Sequence, residues 1–177
     1  MFFNKLFQVK LLLSDILQKL NLCIILIVSI LVFYECQEQP ARIDKEKEIS
    51  EISNTISSCI GWFENKDFDL LFSIVANDAS YLCVHPADRV IKGFDEFERN
   101  SEIFRNPDFM YVRHEIRDLN INLSKTGKVA WFYCILDDIN TWNGRPANWE
   151  NTRWTGVLEK RDGKWVMVQQ HYSFATD

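Results

Sequence analysis

From Val112 to Ser173 the chain is written largely in a period of two, with apolar and aromatic residues returning every second position. That pattern suits antiparallel strands with one face buried. Val112, His114 and Ile116 hold one phase, and Leu119, Ile121 and Leu123 hold the other, so a bulge is expected near Arg117-Asp118. Thr126-Gly127 turns the chain into Val129–Asp137, and a loop through Asn143-Gly144-Arg145-Pro146 leads to Glu150–Lys160. Asp162-Gly163 then makes a tight hairpin into Trp165–Ser173. The preceding residues follow a different period. Ile49, Ile52, Ile56, Ile60 and Phe63 recur at spacings of three and four, the mark of one helical face, and Phe68, Leu71, Phe72 and Val75 form a second. Ala79–Val84 reads as a short strand stopped by His85-Pro86, because proline donates nothing to a ladder and restrains the residue before it. After Gly93, Phe94, Phe97, Ile103 and Phe104 suit a third helix with Asp95 and Glu96 at its positive end.

Helices followed by long strands predict an α+β fold, a curved antiparallel sheet wrapped around the N-terminal helices. The open end of such a cone is a natural small-molecule pocket.

The first 36 residues stand apart. Leu22–Tyr34 (LCIILIVSILVFY) is uncharged, with Lys5, Lys10 and Lys19 before it and Glu35 and Glu38 after it. The reading expects a signal or membrane-anchor segment at 1–36, a linker at 37–47 and a domain at 48–177 that is membrane-anchored and extracytoplasmic. An uncleaved transmembrane anchor is the leading form. Acylation at Cys36 and cleaved secretion are the alternatives, and the bulky Phe33-Tyr34-Glu35 disfavours signal-peptidase cleavage.

Charge and motifs exclude several classes. Residues 48–177 carry 14 basic and 20 acidic residues, so no nucleic acid is expected as partner. The chain has no GxGxxG, GxxxxGK[ST], HExxH or CxxC, and no cofactor or metal is expected. Cys59, Cys83 and Cys134 lie in apolar, periodic segments and read as small buried side chains.

The closing stretch ENTRWTGVLEKRDGKWVMVQQHYS resembles the C-terminal hairpin of SnoaL-like domains in the nuclear transport factor 2-like superfamily. It is especially similar to the association domain of calcium/calmodulin-dependent kinase II. The matching residues are Asn151-Thr152-Arg153, Arg161-Asp162-Gly163-Lys164-Trp165 and His171-Tyr172-Ser173. The resemblance implies a cystatin-like, cone-shaped domain with an interior pocket, usually a homodimer through its convex sheet. It also implies that Arg153 contacts a carboxylate ligand. A second arginine of that family has no counterpart at Ile135-Leu136-Asp137, and Tyr172 replaces another.

The expected function is binding of a small organic molecule, anionic ones included, in the cone. The expected ligand-binding residues are Arg153, Tyr172, Gln170, Gln169, Tyr133 and Thr155. A two-residue turn at Asp162-Gly163 sets Arg153 opposite Tyr172, near Thr155 and Gln170; a three-residue turn sets it opposite His171 and Gln169. One alternative is an isomerase, cyclase or dehydratase with His171 or His85 as general base, Asp88 as orienting carboxylate for His85, and Tyr133 or Tyr172 as donor. Another is a homodimerising assembly module without ligand.

Overall fold

The computed structural model describes residues 17–22 and 43–174. Residues 17–22 form a short helical segment in a unit separate from the one that begins at Ile43. Apart from Leu22, the hydrophobic run Leu22–Tyr34 lies outside the described residues, as does Cys36. Among the described residues no helix is long and apolar enough to cross a membrane.

The domain opens with helix α1, Lys45–Gly61. Asp44 caps it, its carboxylate accepting from the Lys47 N–H at 3.2 Å, and Glu46 and Glu48 sit in the first turn where the helix dipole favours them. The tether expected over 37–47 therefore yields its last three residues to α1. Ile52, Ile56, Cys59 and Ile60 are buried along one face, in line with the spacing of the isoleucines. Each buried isoleucine contributes about 1.5–3 kcal/mol relative to an exposed one. A 3-10 turn at Trp62–Glu64 follows, and α2, Phe68–Ser73, is capped by Asp67 accepting from the Leu70 N–H at 2.9 Å.

Strand β1, Leu82–Val84, and β2, Val90–Lys92, form a small hairpin. Helix α3, Phe94–Ser101, starts at Gly93, whose φ of 79° belongs to the region open to glycine. A 3-10 turn over Glu102–Arg105 continues it, so Ile103 and Phe104 fall beyond the α-helix proper. Four longer elements complete the sheet: β3, Phe109–Leu123; β4, Val129–Trp142; β6, Trp149–Arg161; and β7, Lys164–Ser173. The two-residue β5, Arg145–Pro146, pairs with the end of β4.

The sheet order is β2-β1-β7-β6-β4-β3. All neighbours are antiparallel except β1 and β7, which run parallel and match Cys83 with Gln170 and Val84 with His171. The bulge expected at Arg117-Asp118 is present: pairing jumps from Arg117–Ile135 to Asn120–Tyr133, and Asp118 has φ 55°. At Asp162-Gly163 the turn has two residues, since Arg161 pairs with Lys164. A further bulge lies between Leu158–Met167 and Val157–Gln169, and it moves Arg153 opposite Ser173, a register neither expected turn gives.

The curved, unclosed sheet carries the helices on its inner face. Ala130, Phe132, Cys134 and Leu136 of β4 and Trp154 and Leu158 of β6 are buried with the α1 isoleucines in one core. Gly156 belongs to the same inward phase, and a Cβ there would lie 2.5 Å from Phe132 and 2.8 Å from the Gln169 carbonyl oxygen. Cys59, Cys83 and Cys134 are buried free thiols.

Candidate functional site

A cavity of about 510 Å³ opens between the helices and the inner face of the sheet. Its walls are mainly apolar. Trp62, Phe63, Phe104 and Phe109 contribute one aromatic side, packed edge to face or tilted with centroids 5.0–5.7 Å apart. Ile60, Leu71, Ile91, Phe97 and Leu136 add aliphatic and aromatic surface. Polar groups reach the cavity from α3, β4, β7 and the loops: His85, Arg89, Asn100, Asp138, Asn140, Asn148, Gln170 and Tyr172.

His85 follows β1 and enters the cavity because it continues the inward phase of Cys83. Its backbone N–H donates to the Arg89 carbonyl at 2.9 Å, closing the β1–β2 turn and fixing the ring. The imidazole packs against Trp149 and Tyr172 at centroid distances of 5.5 and 6.0 Å, and its Nε2 is 3.4 Å from Cys83 Sγ. Burial, and secondarily the Arg89 cation, lowers its pKa below 6.5. The ring is therefore mainly neutral at pH 7. Burial pushes the Cys83 thiol up to about 12, so it stays protonated.

A buried polar chain runs behind these rings. Tyr172 donates its hydroxyl to Gln170 Oε1 at 2.7 Å, and Gln170 Nε2 donates to the Tyr81 hydroxyl at 2.6 Å. Tyr81 in turn hydrogen-bonds Cys83. Burial raises both phenol pKa values well above 10.

Asp138 and Asn140 extend the inward phase of Ala130, Phe132, Cys134 and Leu136 into the cavity. Burial raises the Asp138 pKa above 3.8, while a hydrogen bond from Asn140 and the charge of His114 oppose the rise. His114 stands opposite Asp138 on β3, and its Nδ1 is 3.0 Å from the Tyr111 hydroxyl. Trp149 faces Asp138 from β6. Arg89, exposed at the rim, donates through Nη2 to Asn100 Oδ1.

The residues singled out in the sequence divide between two surfaces. His85, Gln170 and Tyr172 line the cavity. Tyr133, Thr155 and His171 make one cross-strand row on the outer face, with Gln169 and Arg153 on neighbouring rows. Arg153 is exposed and donates to the Phe174 carbonyl at 2.6 Å. It lies on the outer face because Thr152, Trp154 and Gly156 take the inward phase of β6. Asp88 is exposed in the β1–β2 turn, where the carboxylate expected to orient His85 is replaced in that role by the Cys83 contact. Asn140 and Arg89 were not singled out, and Asp138 was weighed only with Asp137 as a cation pair and set aside. The signal for Asp138 and Asn140 was present, since they are polar residues carrying on an unbroken apolar phase.

Residues 52–177 match the model of the SnoaL-like domain. No curated protein matches the chain in sequence. Among solved structures, a candidate dehydratase of the nuclear transport factor 2-like family from Streptomyces avermitilis has a TM-score of 0.65 at 18% identity. That match covers 75% of this chain and 99% of the other. A candidate calcium/calmodulin-dependent kinase II association domain from Exiguobacterium sibiricum has a TM-score of 0.61 at 8% identity, covering 78% and 98%. A nuclear transport factor 2-like protein of unknown function from Pseudomonas putida has a TM-score of 0.59 at 16% identity, covering 76% and 91%. At these identities the likeness carries the fold, a nuclear transport factor 2-like cone.

Proposed function

The chain belongs to the SnoaL-like domain family, and from that premise we propose that its interior cavity binds a small, largely apolar organic molecule bearing a polar group. The observation that carries this is the lining itself: aromatic and aliphatic walls around a cavity of about 510 Å³, with His85, Asp138, Asn140 and Arg89 among the polar groups that reach it. This division, apolar surface for affinity and sparse polar groups for orientation, is that of ligand pockets generally. Arg89 at the rim supplies a cation for an anionic substituent. Anilinonaphthalene sulfonate tests the reading on the full-length protein. Wild type should bind one equivalent with enhanced dye fluorescence, and Ala147→Trp, which fills the cavity mouth, should abolish binding without unfolding. Undiminished binding to Ala147→Trp would remove the dye from the cavity and the proposal with it.

A second reading is proton-transfer chemistry of the isomerase or dehydratase kind. It is favoured by Asp138, a carboxylate whose pKa is raised by burial, lining the same cavity as a largely neutral His85. Asp138 would take the proton, and the His85 N–H would hydrogen-bond the oxygen on which charge develops. The dehydratase assignment of the Streptomyces avermitilis neighbour agrees with this class.

We also propose that the outer sheet face mediates homodimerisation. Trp131 and Tyr133 are 48% and 40% exposed there, beside Ile135 and Val157. The kinase association-domain neighbour supports assembly. Sedimentation of Trp131→Glu against wild type tests it. Membrane tethering on the extracytoplasmic side is proposed from Leu22–Tyr34 and its flanking charges alone.

A further inference from the structure

Asn140 holds a buried acceptor that nothing in the described protein satisfies. Its backbone is fixed, with N–H donating to Asn148 Oδ1 at 3.2 Å and carbonyl accepting from the Ala147 N–H at 2.9 Å. Its side-chain amide hydrogen-bonds the Asp138 carboxyl, which directs the NH₂ end to the acid. Oδ1 is left over. The residue is 4% exposed, lines the cavity, and no described group donates to that oxygen. A buried acceptor without a donor is costly, and native proteins rarely keep one without reason. Nearby donors have other partners: Tyr172 donates to Gln170, Gln170 to Tyr81, and Arg89 to Asn100.

Building on the interior-pocket reading, we infer that Asn140 and Asp138 form a subsite for a hydrogen-bond donor carried by the ligand, which makes the ligand class a hydroxylated aromatic or alicyclic molecule. A hydroxyl fits better than an ammonium group, because the cavity is largely apolar and the Arg89 cation stands at its rim. A single ligand O–H can donate to Asn140 Oδ1, the acceptor left over beside Asp138. An ether or hydrocarbon of the same shape leaves Oδ1 unpaired.

The test compares 2-naphthol with 2-methoxynaphthalene by calorimetry on the full-length protein at pH 7. The naphthol should bind about tenfold tighter, the worth of one net hydrogen bond in a buried site. Asn140→Leu should bring the two affinities within about twofold by weakening only the naphthol. Equal binding to wild type, or a preference kept intact in Asn140→Leu, overturns the inference while leaving the pocket in place. Binding of neither compound overturns the pocket reading and the inference together. Should Asn140→Leu fail to fold, as judged by circular dichroism, the wild-type ratio decides.

Discussion

The Tyr172 hydroxyl donates to Gln170 Oε1, 2.7 Å away on the same strand, so the phenol expected to serve a ligand is committed to the protein. Gln170 passes the polarity on to Tyr81, Tyr81 to Cys83, and Cys83 to His85 Nε2. The Cys83 thiol, kept protonated by burial, can donate to Nε2, and that arrangement would leave the imidazole proton on Nδ1. In that tautomer His85 would offer a ligand an N–H donor, the part the proton-transfer proposal gives it beside Asp138 as base.

Gln170→Leu should destabilise the domain by about 2–6 kcal/mol, because it strips partners from two buried hydroxyls at about 1–3 kcal/mol each. Tyr172→Phe, which removes only one donor, should cost less. Urea midpoints of the two variants measure this, and a Gln170→Leu midpoint equal to wild type would mean that the polar chain contributes nothing.

The His85 pKa is lowered in the folded state, so the unfolded chain binds the extra proton first as pH falls. The benefit of keeping this ring neutral is complete above about pH 6.5 and declines as pH drops from there toward the folded value. Wild type should lose stability over that window, and His85→Gln should flatten the slope. Proton NMR of the ring should show it titrating below 6.5.

Asp138 carries the opposite sign. Its folded pKa is raised, so ionisation at neutral pH costs stability, and that cost fades on acidification toward the unfolded value near 3.8. Asp138→Asn should raise the thermal midpoint at pH 7 and have almost no effect near pH 4. A destabilised variant at pH 7 would show that the carboxylate has a partner worth more than its burial costs.

Arg89→Gln should weaken binding of anilinonaphthalene sulfonate by about 3- to 10-fold, within the range of one charge-assisted contact at a partly exposed site. Arg153→Gln should leave the same affinity within about twofold, since that guanidinium serves the Phe174 carbonyl on the outer face. Competitive titration of both variants reads the difference, and the reverse order would return the anion site to Arg153.

Gly156→Ala should cost about 1–3 kcal/mol, because the new methyl would meet the Gln169 carbonyl oxygen at 2.8 Å, a backbone atom that cannot swing aside. Chemical denaturation checks it; a neutral substitution would mean that β6 and β7 separate more easily than their packing implies.

Much of the architecture was legible because period and turn chemistry are local. The isoleucine spacing located α1, the phase change at Arg117-Asp118 located a bulge, and Asp162-Gly163 fixed a two-residue hairpin. The site was less legible because it depends on strand parity carried across bulges. Polar residues at Gln169, Gln170 and His171 read as one pocket mouth, yet adjacent positions on a strand face opposite ways, and only Gln170 and Tyr172 turn inward. The β6–β7 bulge gives no turn-like signal in an apolar stretch of Val166, Met167 and Val168. Asp138 and Asn140 could have been found by following the inward phase of β4 two and four residues past Leu136.

The parallel pairing of β1 with β7 has a temporal side. A polypeptide is made from its N-terminus, and the strand that joins the β1–β2 hairpin to the rest of the sheet is the last to emerge. Until it does, α1 and β1 lack one of their main neighbours and the cavity has no floor. Closure of the sheet must therefore wait for β7, and a chain interrupted before Lys164 should leave the β1–β2 hairpin without its neighbour in the sheet.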